Sequence, residues 1–251
     1  MSRLNPLLIT SVMNISSDHV SSVDTERYAR NLMLEGFDIS SQERLARASV
    51  AVVGAGALGS VVAMYLAGAG VGSLRIADFD SISLSNLQRQ IFFAECEVGS
   101  PKCEVLGNKV MSLNSNTRVS PFPCAVTPDN VADFIVGCDV VAVATDNLPS
   151  KAMVVDAAIR SSIPVVVGGV REFQGQISLF TPDSALSFSD IFPSDPAVRL
   201  SPPGVFGPVP GIVGAMQAAE ILKLLAGIGS PLRNTLLHFD VRDMNIRKFS
   251  F

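Results

Sequence analysis

The sequence predicts an α/β fold with a mixed sheet, parallel in its first half and antiparallel in its C-terminal strands. Three observations carry this. "SVAVVG" is an unbroken apolar run ending in glycines; "ALGSVVAMYLAGAG" follows with helical spacing, and the next apolar strand is "SLRIADFD", which makes one βαβ unit. Strand and helix patterns keep alternating as far as "SKAMVVDAAIRSS". Beyond it "IPVVVGGV" and "QISLFTP" come in succession, and "TLLHFDVRDMNIRKFSF" reads as a closing pair of strands around "RDMN".

With 251 residues, 48% of them apolar, the chain can bury a sizeable core. Its net charge of -4 and lack of a basic cluster argue against nucleic acid or an anionic membrane as the main partner. No unbroken apolar run reaches the roughly 20 residues of a spanning helix, so a cytoplasmic protein is expected. Cys96, Cys103, Cys124 and Cys138 show no CxxC spacing. Neither a zinc site nor a disulfide framework is indicated.

Residues 1–23 read as an N-terminal extension and 24–251 as one domain. "DTERYARNLMLEGFDISSQERLARAS" gives a helix, a turn at Gly36, and a second helix from Ser40 or Ser41, capped by Ser and Glu43. After the first strand, Leu58, Val61, Val62, Tyr65 and Leu66 mark the buried stripe of a helix. A helix from Lys102, a proline-weakened strand "TRVSPFPCAV", a short helix "NVADFIVG" and a buried strand "DVVAVATDN" follow. Residues 184–210 form a long polar, Pro-rich loop. The strongest helix, 211–227, reads as core.

Gly54, Gly56 and Gly59 stand where a Rossmann-like turn brings backbone N–H groups to a phosphate. Asp78 lies 24 residues beyond Gly54, at the end of the second strand, where a carboxylate can accept ribose hydroxyls. The glycines alone also fit plain helix–strand packing. Past that strand come Asn86, Arg89 and Gln90; Lys102 opens the next helix, and Asp146 ends another strand at the same sheet edge. Cations, amide donors and a lone carboxylate in one place suit a triphosphate with magnesium better than a dinucleotide. ATP is the expected ligand.

"RYARNLMLEGFD", "VVGAGALGS", "ADFDSISLSNLQRQ", "VGSPK", "ATDN" and "GVFGPVPGIVGAMQAAEILKLLAG" occur in that order over almost all of the chain from Arg27 onward. In this the sequence resembles the MoeB/ThiF/HesA branch of the ubiquitin-activating-enzyme-like superfamily. The resemblance implies an adenylyltransferase that uses MgATP to activate the C-terminal Gly-Gly carboxylate of a small ubiquitin-like sulfur carrier, of the thiamin or molybdopterin type. It gives Asp78 the ribose, Asn86, Arg89 and Lys102 the phosphates, Gln90 a supporting part, and Asp146 the magnesium ion. It also implies a homodimer in which Arg30 reaches the γ-phosphate of the neighbouring subunit. A carboxylate nucleophile is already ionised at neutral pH, so His19 and His238 are not needed as bases.

Members of the family commonly bind zinc through two CxxC pairs; here Ser187 and Asp190 stand at the first, and no zinc is expected. No cysteine lies in the loop expected to cross the active site, so activation is expected to stop at the acyl-adenylate, with a separate sulfur donor. Cys103 beside Lys102 reads as a small buried residue before it reads as a thiol nucleophile. Gly204, Gly207 and Gly211 match family glycines where the incoming tail needs a narrow channel. Two other readings stay open: an NAD(P)-dependent oxidoreductase, and a catalytically degenerate member of the same fold.

Overall fold

In a computed structural model of the chain, residues 25–193 and 204–251 are described. The expected extension at 1–23 and the middle of the expected loop lie outside them. Helices α1 (Ala29–Leu32) and α2 (Ile39–Arg47) precede the sheet. Gly36 takes φ 77°, so the turn between them needs glycine there. The cap of α2 is Asp38, not a serine: its carboxylate accepts the Ser41 N–H at 2.8 Å and the Ser40 hydroxyl at 2.7 Å. An anion at the positive end of a helix outcompetes the neighbouring hydroxyls.

The remaining elements are β1 (Ser49–Val53), α3 (Gly59–Ala69), β2 (Ser73–Ala77), α4 (Lys102–Leu113), β3 (Arg118–Phe122), α5 (Val131–Ile135), β4 (Val140–Val143), α6 (Leu148–Arg160), β5 (Val165–Arg171), β6 (Gln174–Phe180), α7 (Phe188–Ile191), α8 (Pro208–Ala226), β7 (Thr235–Asp240) and β8 (Asn245–Ser250). One eight-stranded sheet runs β3-β2-β1-β4-β5-β6-β7-β8. Pairs from β3 to β5 are parallel, and those from β5 to β8 antiparallel, as expected from the sequence. Strand order reverses between β1 and β4. In such sheets a ligand crevice opens there, beyond the carboxyl ends of the strands.

Alternate residues of β1 feed two cores. Val50 and Val52 pack among α3, α4 and α8, while Ala51 and Val53 pack with α5 and α6. Each valine so buried contributes about 2 kcal/mol. In α3 and its cap the expected stripe holds for Leu58, Val61, Val62 and Leu66, but Tyr65 at its rim is 56% exposed.

Two boundaries differ from expectation. The stretch expected as loop at 184–210 contains the one-turn helix α7, and α8 starts at Pro208 rather than 211. Prolines fit a first helical turn, where their missing N–H costs nothing. Gly227, at φ 67°, ends α8. This helix is long and apolar enough by composition to cross a membrane. It nevertheless buries Gln217, whose Nε2 donates to Val143 O at 3.0 Å and Val166 O at 3.1 Å, and so seats on the sheet as a core helix.

Candidate active site

The glycine turn leaves β1 at the point where strand order reverses. Gly54 has φ 99°, and a Cβ there would lie 2.8 Å from the Ala144 carbonyl oxygen. Gly59 has no room either, its Cβ position colliding with the Gly54 carbonyl. These two glycines serve close strand–helix packing. Gly56 is open, with only the Gln90 side chain nearby at 3.5 Å, and it is the position that leaves backbone free to approach a ligand.

Asp78 fastens this turn. Its Oδ2 accepts the Ala55 N–H at 2.7 Å, and its Oδ1 accepts the Asp80 N–H at 2.8 Å. Burial pushes its carboxyl above the usual range, opposed by those two hydrogen bonds and by Lys102. Each oxygen keeps a lone pair for a further donor. The expected ribose carboxylate is therefore also a brace for the backbone that would face the phosphates.

Asn86, Arg89 and Gln90 follow in a tight turn. The Asn86 side chain accepts the Ser83 N–H at 3.2 Å, and Arg89 Nη1 donates to Ser85 O at 2.9 Å. Both groups are thus used locally. Gln90 is buried over Gly56, and its Oε1 has no hydrogen-bond partner among the described residues. A buried acceptor without a donor is costly, and it is met at sites that bind something else.

Lys102 is 5% exposed at the start of α4, and its Nζ pairs with Asp80 Oδ2 at 2.8 Å. The sequence reading missed Asp80. The signal was there in "ADFD", where the second carboxylate follows the first by two residues and continues past the strand. The Asp80 side chain is half exposed, so the pair is buried at its cation and open at its anion.

Asp146 lies just past β4, exposed, with one long contact from Asn147 Nδ2 at 3.4 Å. Asn147 caps α6 by accepting the Ser150 N–H at 2.9 Å. One turn later is a residue that sequence reasoning also missed. Lys151 is 7% exposed and donates from Nζ to the Gly168 carbonyl. Burial pulls its ammonium down to about 8, against the opposing charge of Asp146. A lone lysine among the apolar residues of "SKAMVVDAA" was its only mark.

The structure does not bring Arg30 to this site. Arg30 is exposed on α1, and α1 and α2 are tied to the far end of α3. The ties are Asn114 Nδ2, which donates both to the Tyr28 hydroxyl and to Ala67 O of α3 at 2.8 Å, and Gln42, whose Nε2 donates to Ala69 O at 2.7 Å while its Oε1 accepts from Asn31 Nδ2 at 3.3 Å. The glycine turn is at the other end of α3, about 16 Å away for 11 residues.

Cys103 is fully buried, and burial pushes its thiol upward, the opposite of what a nucleophile needs. Among the expected channel glycines, a Cβ at Gly204 or Gly211 would meet none of the described residues within 4 Å, while Gly207 abuts the Gln88 carbonyl. Ser187 and Asp190 do not fit a zinc ion. They cap α7 reciprocally: Asp190 Oδ2 accepts from Ser187 N at 2.9 Å and Ser187 Oγ at 2.6 Å. Among the described residues no group of three or more His, Cys, Asp or Glu gathers. Rings pack around the same turn: Phe180 lies edge-to-face with Phe188 at 5.8 Å and stacks on Phe251 at 5.7 Å, and Phe188 is tilted against Phe192 at 4.9 Å.

Known proteins resemble this chain in sequence and in fold. The chain is 37% identical over 236 residues to the sulfur carrier protein adenylyltransferase of Thermus thermophilus, covering 90% of this chain and 87% of that protein. It is also 37% identical to the SAMP-activating enzyme E1 of Haloferax volcanii, over 92% of this chain and 86% of that one. With the mouse adenylyltransferase and sulfurtransferase MOCS3 it shares 38% identity over 85% of its length, spanning about half (47%) of that longer protein. Among solved structures, E. coli MccB with ATP superposes with a TM-score of 0.81 at 23% identity, over 94% of this chain and 74% of that one. PaaA does so with 0.80 at 21% identity, over 97% and 80%; at such identities these two speak for the fold alone. The model of the ThiF family matches residues 28–251. On the sequence, the fold and these likenesses together, the chain belongs to the ThiF family.

Proposed function

We propose that this chain uses MgATP to adenylate the C-terminal Gly-Gly carboxylate of a small ubiquitin-like carrier protein, releasing pyrophosphate. The observation that supports it most is Lys102: a buried ammonium held at the edge of the switch-point crevice, whose partner carboxylate faces out. An ammonium placed this way neutralises phosphate charge without having to be desolvated during the reaction.

In the step itself, a carboxylate oxygen of the carrier bonds to the α-phosphorus, the bond from that phosphorus to the bridging oxygen breaks, and pyrophosphate leaves with its magnesium. No proton moves, since the nucleophile is already ionised. The barrier comes from two anions meeting, and fixed cations and dipoles lower it. Asp78 offers its remaining lone pairs to the ribose hydroxyls. Lys102, Arg89 and Asn86 serve the phosphates, the latter two after releasing their local hydrogen bonds. Gln90 supports them with its side-chain amide, whose Nε2 lies nearest Gly56. Asp146 fits the magnesium that arrives with ATP, because that ion takes one or two protein carboxylates and fills its shell with phosphate oxygens and water.

In the same reading 24–251 forms one adenylation unit, and Arg30 acts from a second copy, because its own glycine turn lies at the far end of α3. Sulfur comes from a separate donor, consistent with the inert setting of Cys103. Family membership weighs against an oxidoreductase. The test is isotope exchange. Labelled pyrophosphate should enter ATP only when a carrier ending in Gly-Gly is present; tight NADH binding without exchange would overturn the reading.

A further inference from the structure

Gly207 sits at the entry to α8 with φ -48° and ψ -42°, a conformation open to any residue. Its lack of a side chain serves space instead. A Cβ there would lie 2.6 Å from the backbone oxygen of Gln88, in the turn that carries Asn86, Arg89 and Gln90. Backbone cannot swing aside as a side chain does.

Both sides of this contact are held. Before Gly207, the chain is fastened to the tip of the β5–β6 hairpin: Glu172 N donates to Gly204 O at 2.8 Å, and Phe206 N to Glu172 O at 2.9 Å. The Phe206 ring packs on Phe173 with centroids 5.3 Å apart. On the other side, Arg89 N and Gln90 N both donate to Asn86 O, at 3.1 and 2.9 Å, and Phe93 N donates to Gln90 O at 3.0 Å. The turn therefore moves as a unit. Its last member, Gln90, reaches to 3.5 Å from the Cβ position of Gly56.

We infer that Gly207 is a positioning residue for the nucleotide grip: its bare backbone sets the distance between the start of α8 and Gln88, and so the placement of the turn that carries Arg89 and that sets Gln90 over Gly56. The inference rests on the proposed function, since it assigns those two residues to ATP. It adds a direct link between the hairpin tip, where the chain returns into α8, and the phosphate-facing turn. A methyl at Gly207 must push Gln88 away by several tenths of an ångström, and misplacement on the scale of an ångström costs up to about a hundredfold in rate.

The test compares Gly207→Ala, Phe206→Ala and, as a control for adding a methyl to a helix, Gly68→Ala, whose Cβ meets only Leu113 at 3.9 Å. ATP binding by calorimetry and the KM for ATP in carrier-dependent pyrophosphate exchange are both read on folded protein, checked by circular dichroism. Gly207→Ala should weaken ATP roughly tenfold or more in both assays, leaving the KM for carrier within about twofold. Phe206→Ala, which loosens the fastening without adding bulk, should weaken ATP about threefold, and Gly68→Ala should not change it. A merely structural role would lower the active fraction and leave both ATP constants alone. Folded variants that bind ATP as the unchanged protein does would overturn the inference and leave the function standing. An unchanged protein that neither binds ATP nor exchanges pyrophosphate would overturn both. Should Gly207→Ala fail to fold, Phe206→Ala decides alone.

Discussion

Lys151 gives the sharpest quantitative test. Its ammonium is pulled by burial from an ordinary 10.5 to about 8, and a drop of that size corresponds to about 3 kcal/mol at 1.36 kcal/mol per tenfold step. The sign follows from proton counting. Between about pH 8 and pH 10.5 the unfolded chain binds the proton that the folded chain has released, so stability rises with pH across that window. Below pH 8 the whole penalty of the buried charge is present. In Lys151→Met the penalty disappears, together with the hydrogen bond to the Gly168 carbonyl. That lost bond shifts stability by about 1–3 kcal/mol at every pH and leaves no slope. Urea unfolding at pH 7, 8, 9 and 10 for both proteins separates the two effects. Cys103 and Cys138, whose thiols burial pushes up, titrate nearby with the opposite sign, but they are common to both proteins and cancel in the difference. The stability difference between original and variant should move by about 2–3 kcal/mol in favour of the original from pH 7 to pH 10. A difference that stays flat within about 0.5 kcal/mol would refute a desolvated ammonium at this position.

Other expectations concern the site directly. Asp146→Ala should lower carrier-dependent pyrophosphate exchange by about two orders of magnitude or more, as the metal loses its protein ligand; unchanged turnover would remove Asp146 from the site. Gly54→Ala must force a positive-φ alanine against the Ala144 carbonyl, so urea unfolding should show a loss of roughly 2–3 kcal/mol. Stability unchanged there would mean that the turn relaxes freely. Mixing Arg30→Ala with Asp146→Ala should restore about a quarter of full exchange activity, because about half of the dimers are then hybrids with one intact site of two. No recovery despite proven subunit exchange would argue against a shared site.

The sheet was legible because its central strands are buried on both faces and read as unbroken apolar runs such as "SVAVV" and "VVAV". The switch to antiparallel pairing was legible because two strands follow each other with no helix between them. The glycines marked the turn after β1, and of the residues named with them Asp78 and Gln90 lie against it. What escaped depends on contacts across the chain. Asp80 gains its meaning from Lys102, 22 residues later, and Lys151, on α6, from the Gly168 carbonyl of β5. Equally, nothing local tells that Gly207 needs space while Gly54 needs a positive φ; only the opposing backbone distinguishes them. Arg30 was picked out by resemblance, and its remoteness from its own glycine turn appears only once α1 is packed. The start of α8 was missed because prolines were taken as loop formers, although a first helical turn accepts them.

The turn around α7 is held by a reciprocal Ser187–Asp190 cap and a run of phenylalanines in mutual contact. Where a thiolate-clasped ion performs such a task, chelation or peroxide can undo the structure. Here the groups that hold the corner are a hydroxyl, a carboxylate and aromatic rings, so its order depends on Asp190 staying ionised and on ring packing.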